Sequence, residues 1–419
     1  MTVFERTTLP NGVRVIAAPM DSVQSTACYL MFEAGSRYER SEDQGLAHFV
    51  EHMVFCGTPR RPSSKALAGE VDAIGGLFNA STGKEGTYYY VKCASEYAPQ
   101  ALDVLTDMIR NSVFNPEDMK REKSVIIEEM RSKFNNPKDY VDENFELLVY
   151  GDTPLGRIRI GTEETVGGMT RDRIVDFARR MYEPSRLVIG LAGQVDDTLL
   201  ARVEELVGDL EGTRAPSFAP AGNGGSRVLL ESKPIDQAHL CLGARGYAES
   251  HPDRSAVQLL GTVLGGGMSS RLYEELTIRR GLAYSIYMVM FNHSDTGALW
   301  AEGGVNVDKV DEAITVIAGS LGRTAEEPVP SDELEKARTY AKSRFVFSTE
   351  TPQNLLTRAL WDEVKGGGVR EPAEHLDALN AVTAEDIQRV AGDILGGGLY
   401  LSLIGPYDDP ARFERLLTV

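Results

Sequence analysis

Apolar residues recur along this chain with two periods in turn, strand-like and helix-like. The opening "MTVFERTTLPNGVRVIAAPM" reads as strand, turn and strand, with Pro10-Asn11-Gly12 as the turn. Residues 45–55, "GLAHFVEHMVF", predict an apolar helix into which His48, Glu51 and His52 are set. From Pro116 to Asn136, the apolar positions Met119, Val125, Ile126, Met130 and Phe134 outline a longer helix. At about 100° per residue, Glu122 and Glu129 fall on one line of that helix, flanked by Val125 and Ile126, whereas Glu128 points away. The segment "NASTGKEGTYYYV", within residues 75–93, is rich in β-formers and predicts strand.

The pattern repeats itself. "MTRDRIVDFARRMYEPSRLVIGLAGQVDD" gives a Thr-capped helix, a turn and an apolar strand ending in Gly193 and Asp196-Asp197; "VTAEDIQRVAGDILGGGLYLSLIGPYDD" repeats that order, closing on Gly405 and Asp408-Asp409. "NPEDMKREKSVIIEEMRSKFNNP" pairs with "PSDELEKARTYAKSRFVFSTETP", setting Met119 against Leu334 and Pro137 against Pro352. Two separated matches at offsets near 213 to 215 indicate two copies of one unit. The Gly, Pro, Ala and Ser-rich stretch 213–226 reads as an exposed linker between domains 1–212 and 227–419. Within each copy strands follow one another through short turns and helices arrive in groups. The fold class is therefore α+β: two related domains, each a mainly antiparallel sheet packed with helices.

Composition narrows the function. The chain has 42% apolar and 25% charged residues and no apolar run near the roughly 20 residues a membrane span requires, so no membrane partner is expected. Lysine and arginine total 44 against 62 acidic residues, a net charge of −18 that repels phosphate backbones and argues against nucleic acid. Cys28, Cys56, Cys93 and Cys241 lie far apart with no CxxC pair, and no export signal is read at the N-terminus, so reduced thiols and a cytoplasmic setting are expected.

Against that background the histidines stand out, because the chain has only six. Residues four apart share a helix face with Cβ atoms about 5–6 Å apart, so His48 and His52 can reach one ion. Zinc takes imidazole nitrogen and, in catalytic sites, three protein ligands with one position left for water. Glu51 is too offset to be the natural third ligand and suits proton transfer instead. Glu129, a carboxylate on an apolar stripe, needs a partner such as a cation and is the expected third ligand. Glu122 is then placed to hydrogen-bond a ligand histidine from behind. A buried histidine is more often a hydrogen-bonded core residue, and a glutamate-rich helix is usually a solvated surface. Neither explains two histidines at i,i+4 with an intervening glutamate and an acid on a second helix's stripe.

The order His48-Phe49-Val50-Glu51-His52 is HxxEH, the inverse of HExxH. With 76 residues between His52 and Glu129, the chain resembles the pitrilysin or insulinase family of zinc metallopeptidases, M16, over its whole length. Its size in two related halves resembles the mitochondrial-processing-peptidase-like subgroup, and the resemblance implies the M16/LuxS-like metallopeptidase fold.

The resemblance implies more. One Zn²⁺ per chain is expected, with zinc endopeptidase activity on peptides or unfolded segments and a homodimer or a heterodimer with a related subunit. "GGLFNASTGKEGTYYYVKC" looks like the family's edge strand, on which a substrate backbone pairs at Asn79 and Ala80. In "LGGGMSSRLYEELTIRRGLAYSIY", Tyr284 matches a family tyrosine that reaches the cleft. The family arginine seven positions earlier is Thr277 here, so the positive charge would come from Arg279 or Arg280, be supplied by another chain, or be absent. The second copy's "AVQLLGTVLGGG" holds no histidine or glutamate, and Arg344 stands where Glu129 would be, so only the first copy is expected to bind metal. The competing reading, a non-catalytic scaffold or partner subunit of a larger assembly, rests on Thr277.

Overall fold

The computed structural model describes residues 3–212 and 217–418. The chain divides into two compact units. The first comprises residues up to Arg131 with Ile158–Ala219 and Ser348–Glu371; the second comprises Ser132–Arg157, Pro220–Phe347 and residues from Pro372 onward. These units cut across the contiguous halves 1–212 and 227–419. Of the linker stretch 213–226, residues 213–216 lie outside the described residues.

The first unit is built on a six-stranded sheet. Its strands are β1 (Glu5–Thr8), β2 (Arg14–Pro19), β3 (Ser25–Phe32), β4 (Leu77–Thr82), β5 (Thr87–Ala94) and β6 (Leu187–Gly193), in the spatial order β1-β2-β6-β3-β5-β4. Every pairing is antiparallel except β2 with β6. The central strands are apolar on both faces, and all seven residues of β6 are buried, as expected for strands covered on both sides.

One cover of that sheet comes from far along the chain. Leu355, Leu356 and Ala359 of the helix Pro352–Val364 pack on Ile16, Tyr29, Met31 and Val188. Gly190 permits this approach: a Cβ there would lie 2.8 Å from Leu356. The helices Ala98–Arg110, Arg171–Met181 and Asp197–Val207 bury the apolar stripes their periodicity predicts.

The second unit repeats the scheme with five strands: β7 (Val228–Ser232), β8 (Gln237–Gly246), β9 (Ala283–Asn292), β10 (Gly297–Asn306) and β11 (Tyr400–Gly405), ordered β7-β11-β8-β10-β9. The pairing β7 with β11 is parallel and the rest are antiparallel. The helices Arg254–Gly265, Val310–Glu326 and Ala384–Gly396 supply its main core. Here too a helix from elsewhere in the sequence is recruited: Phe145, Val149 and Tyr150 of Val141–Tyr150 pack on Cys241, Trp300 and Ile404. The repeated sequence unit thus folds into a repeated α+β architecture, as its patterning indicates.

Candidate metal centre

The helix Leu46–Val54 buries Leu46, Ala47, Phe49, Val50, Met53 and Val54, which fixes its rotation and leaves His48, Glu51 and His52 half-buried on the remaining face. Gly45 precedes it at φ +91° and sits so close to Ile160 that a Cβ would lie 2.7 Å from that residue's carbonyl oxygen. A glycine cannot cap a helix with a side chain. The acceptor comes from Glu39 instead, whose carboxylate takes the N–H groups of Gly45 at 2.9 Å and Ala47 at 2.7 Å. Two orphan donors of the first turn are satisfied in this way. This acceptor was not visible in the sequence, because Glu39 lies outside any local capping pattern.

The helix Pro116–Asn135 brings the acids. Met119, Ile126 and Met130 are its buried residues, but Val125 is 44% exposed and does not belong to the stripe. The Glu129 side chain is itself 52% exposed, so its position follows from helical spacing and not from burial. Its Oε2 lies 3.5 Å from His52 Nε2 and 3.8 Å from His48 Nε2. The two imidazoles are 4.7 Å apart, centroid to centroid, at 73°.

One donor atom from each of His48, His52 and Glu129 lies within 4.8 Å of the others. Ligands on a tetrahedral zinc at about 2.0–2.2 Å are separated by roughly 3.4 Å, so the Glu129 oxygen already stands within a few tenths of an ångström of the required separation from each histidine, and the three donors, all within 4.8 Å, can close on one ion. The donor set fits the metal: two imidazoles and one carboxylate.

Glu122 completes the arrangement. Its Oε2 lies 3.1 Å from His52 Nδ1, which leaves Nε2 for the cluster. Burial pushes the His52 imidazole down, but the Glu122 and Glu129 carboxylates overcome it and raise it to about 9. The His52 contact in turn holds Glu122 below the usual carboxylate range. The two acids therefore demand a positive charge at this point.

Glu51 has a different environment. Burial pushes its carboxyl up, while a hydrogen bond from the Thr82 hydroxyl draws it down. Thr82 is the last residue of β4, the outermost strand of the sheet, so the open edge ends at Glu51. Thr82 carried no sequence signal; only the folded sheet places it there. Asn79 is exposed and Ala80 half-exposed on this edge strand, and the Ala80 N–H is occupied by the Asn79 side-chain oxygen at 2.9 Å.

The remaining candidates belong to the second unit and are not members of this cluster. Tyr284, near the start of the edge strand β9, is 89% exposed. Arg279 pairs with Glu274 and Glu275, and Arg280 with Glu275 and Glu312, so both sit in surface ion pairs. Thr277 lies on a wide, π-helical turn, Tyr273–Arg279, with its hydroxyl oxygen buried and unpartnered among the described residues. All four cysteines are buried free thiols.

Comparison with known proteins agrees with this geometry. Residues 14–163 match the insulinase family, peptidase family M16, and residues 168–340 match the peptidase M16 inactive domain. The chain is 35% identical to an uncharacterized zinc protease of Streptomyces coelicolor over 96% of its length and 90% of the relative's. It is 34% identical to one of Bacillus subtilis over 96% of its length and 98% of the relative's. A solved protease from Helicobacter pylori shares the fold with a TM-score of 0.88 at 20% identity, covering 97% of this chain and 100% of that one. With an HxxEH helix, a converging distant glutamate and full-length relatives, this chain belongs to peptidase family M16.

Proposed function

We propose that this chain is a zinc-dependent endopeptidase that cleaves peptides or unfolded segments. The convergence of His48, His52 and Glu129 on one point, with Glu51 beside it at the end of an open sheet edge, carries this reading. Its relatives in Streptomyces coelicolor and Bacillus subtilis, both named uncharacterized zinc proteases, support it.

His48, His52 and Glu129 would hold the metal, and Glu122 fixes the His52 ring through Nδ1. Zinc bound there would supply a Lewis acid for the scissile carbonyl and the attacking water. Glu51 accepts the proton of that water and passes it to the leaving amine. Thr82 holds the Glu51 carboxylate in one orientation by donating to it. The substrate backbone adds to β4 as a further strand, its main-chain groups meeting Ala80 once the Asn79 side chain gives way. The chain works as a dimer with an identical or related copy.

A second reading, a non-catalytic partner subunit, draws on Thr277 in place of the family arginine. Hydrolysis of a quenched fluorogenic peptide by the zinc-loaded chain separates the two. Turnover that stops on adding chelator and returns with zinc supports the peptidase; a zinc-replete chain that binds peptides without cleaving them supports the subunit.

A further inference from the structure

The first unit contains a cavity of about 470 Å³ that none of the groups discussed above uses for chemistry. Its floor is apolar: Phe32 of β3, Leu187 of β6, Val54 at the end of the histidine helix, and Val175 and Tyr182 on and just after the helix Arg171–Met181. Tyr182 is held rigid, its ring stacked on Phe32 at 4.3 Å and its hydroxyl 2.8 Å from that of Tyr89.

The lining has the opposite sign to the rest of the molecule. The chain carries a net charge of −18, yet among the described residues Arg110, Arg171 and Arg179 line this cavity and no carboxylate does. Arg110 is neutralised by Asp209. Arg171 spends its guanidinium on the carbonyl oxygens of Phe114, at 2.8 Å, and Val113, at 3.2 Å, and makes no ion pair among the described residues. Arg179 is exposed and makes no side-chain ion pair or hydrogen bond among the described residues. Phe114, which forms part of the wall, has φ +46°, the one positive φ outside glycine among the described residues. A bulky side chain held there is strained, and such strain persists where the surroundings impose it; here Arg171 pins the carbonyls on either side of the wall.

We propose that this cavity binds a small amphipathic monocarboxylate, an acyl chain of medium length, with the carboxylate at Arg179 and the chain lying over Phe32, Val54 and Leu187. The volume falls within the roughly 300–1,000 Å³ of small-molecule sites, and an apolar floor with a few convergent polar groups is their usual composition. Guanidinium groups are suited to carboxylates because their paired donors match the two oxygens.

The test titrates the zinc-loaded full-length chain with hexanoate, octanoate and decanoate by calorimetry, below micelle-forming concentrations. Burying methylenes in a real cavity raises affinity by roughly fourfold for each CH₂ until the space is filled, so affinity should climb with chain length. Arg179→Glu, on the surface and away from the core, should weaken decanoate at least tenfold; Val175→Trp, which fills the cavity, should abolish saturable binding. Decyltrimethylammonium, with the same tail and the opposite charge, should not bind saturably. No saturable binding, affinity indifferent to chain length, or decanoate binding unchanged in Arg179→Glu would each overturn the site. Tighter capture of a short apolar peptide through its free C-terminal carboxylate than of decanoate would overturn the acyl assignment.

Discussion

Removing the Glu39 carboxylate should loosen the histidine helix from its first turn. In Glu39→Ala the N–H groups of Gly45 and Ala47, both buried, lose acceptors at 2.9 and 2.7 Å, and no local side chain replaces them. Each buried donor left unsatisfied costs about 1–3 kcal/mol, so the pair should cost about 2–6 kcal/mol. Glu39→Gln keeps one acceptor oxygen and should lose roughly half of that. The sign of the pH dependence is also fixed. Burial lifts the Glu39 carboxyl to about 8, against the opposing pull of those two N–H groups and of Lys84. A raised folded-state value means that the group's stabilising contribution is complete below its unfolded value, near 4.5, and is lost as pH rises toward 8. The deficit of Glu39→Gln relative to the parent should therefore be largest near pH 5 and shrink by pH 8. Urea unfolding of metal-free protein measures this, followed by Trp361 fluorescence in a Trp300→Phe background so that the signal comes from the first unit alone. Glu42→Gln, an exposed neighbour, serves as the control and should leave the midpoint in place. A Glu39→Ala midpoint equal to the parent's at pH 5, or a Glu39→Gln deficit that grows with pH, would refute the capping argument.

Other perturbations probe separate parts of the structure. Glu51→Gln should retain one equivalent of zinc by elemental analysis and lose peptide hydrolysis by roughly 10²–10⁴-fold or more, the range of general-base catalysis; full turnover would remove Glu51 from that role. Glu122→Gln should weaken zinc affinity about 10–100-fold in chelator competition, because the His52 ring loses its anionic partner. Leu356→Ala, at a fully buried position on the recruited helix, should cost about 2–5 kcal/mol in urea unfolding, with the loss confined to the first unit. Ala80→Pro removes an edge-strand N–H that donates to the Asn79 side-chain oxygen, so KM should rise about fivefold, the worth of one ordinary hydrogen bond, with folding checked by circular dichroism.

What the sequence shows and what it hides divide along contact order. The two histidines are four residues apart on one helix, so local periodicity alone brings them together. Glu129 was also found by helical phase, although the burial argument for it fails, since its side chain is half exposed and Val125 faces solvent. Phase can be read from a sequence, whereas burial depends on neighbours that the sequence does not order. The edge position of β4 followed from a family likeness, and the strand order bears it out. Thr82 at Glu51 and Glu39 at the helix start could not be read, because both contacts depend on where loops return in three dimensions. The recruited helices Val141–Tyr150 and Pro352–Val364 were hidden for the same reason. Their apolar faces predict burial, but periodicity cannot say against which sheet.

The position of the metal is open to direct observation. Diffraction from crystals of the zinc-loaded protein, collected above and below the zinc absorption edge, should give one anomalous peak in the first unit, about 2.0–2.2 Å from His48 Nε2, His52 Nε2 and a Glu129 carboxylate oxygen. A peak ligated by other residues, or none at these three in zinc-saturated crystals, would contradict the metal centre and the peptidase built on it.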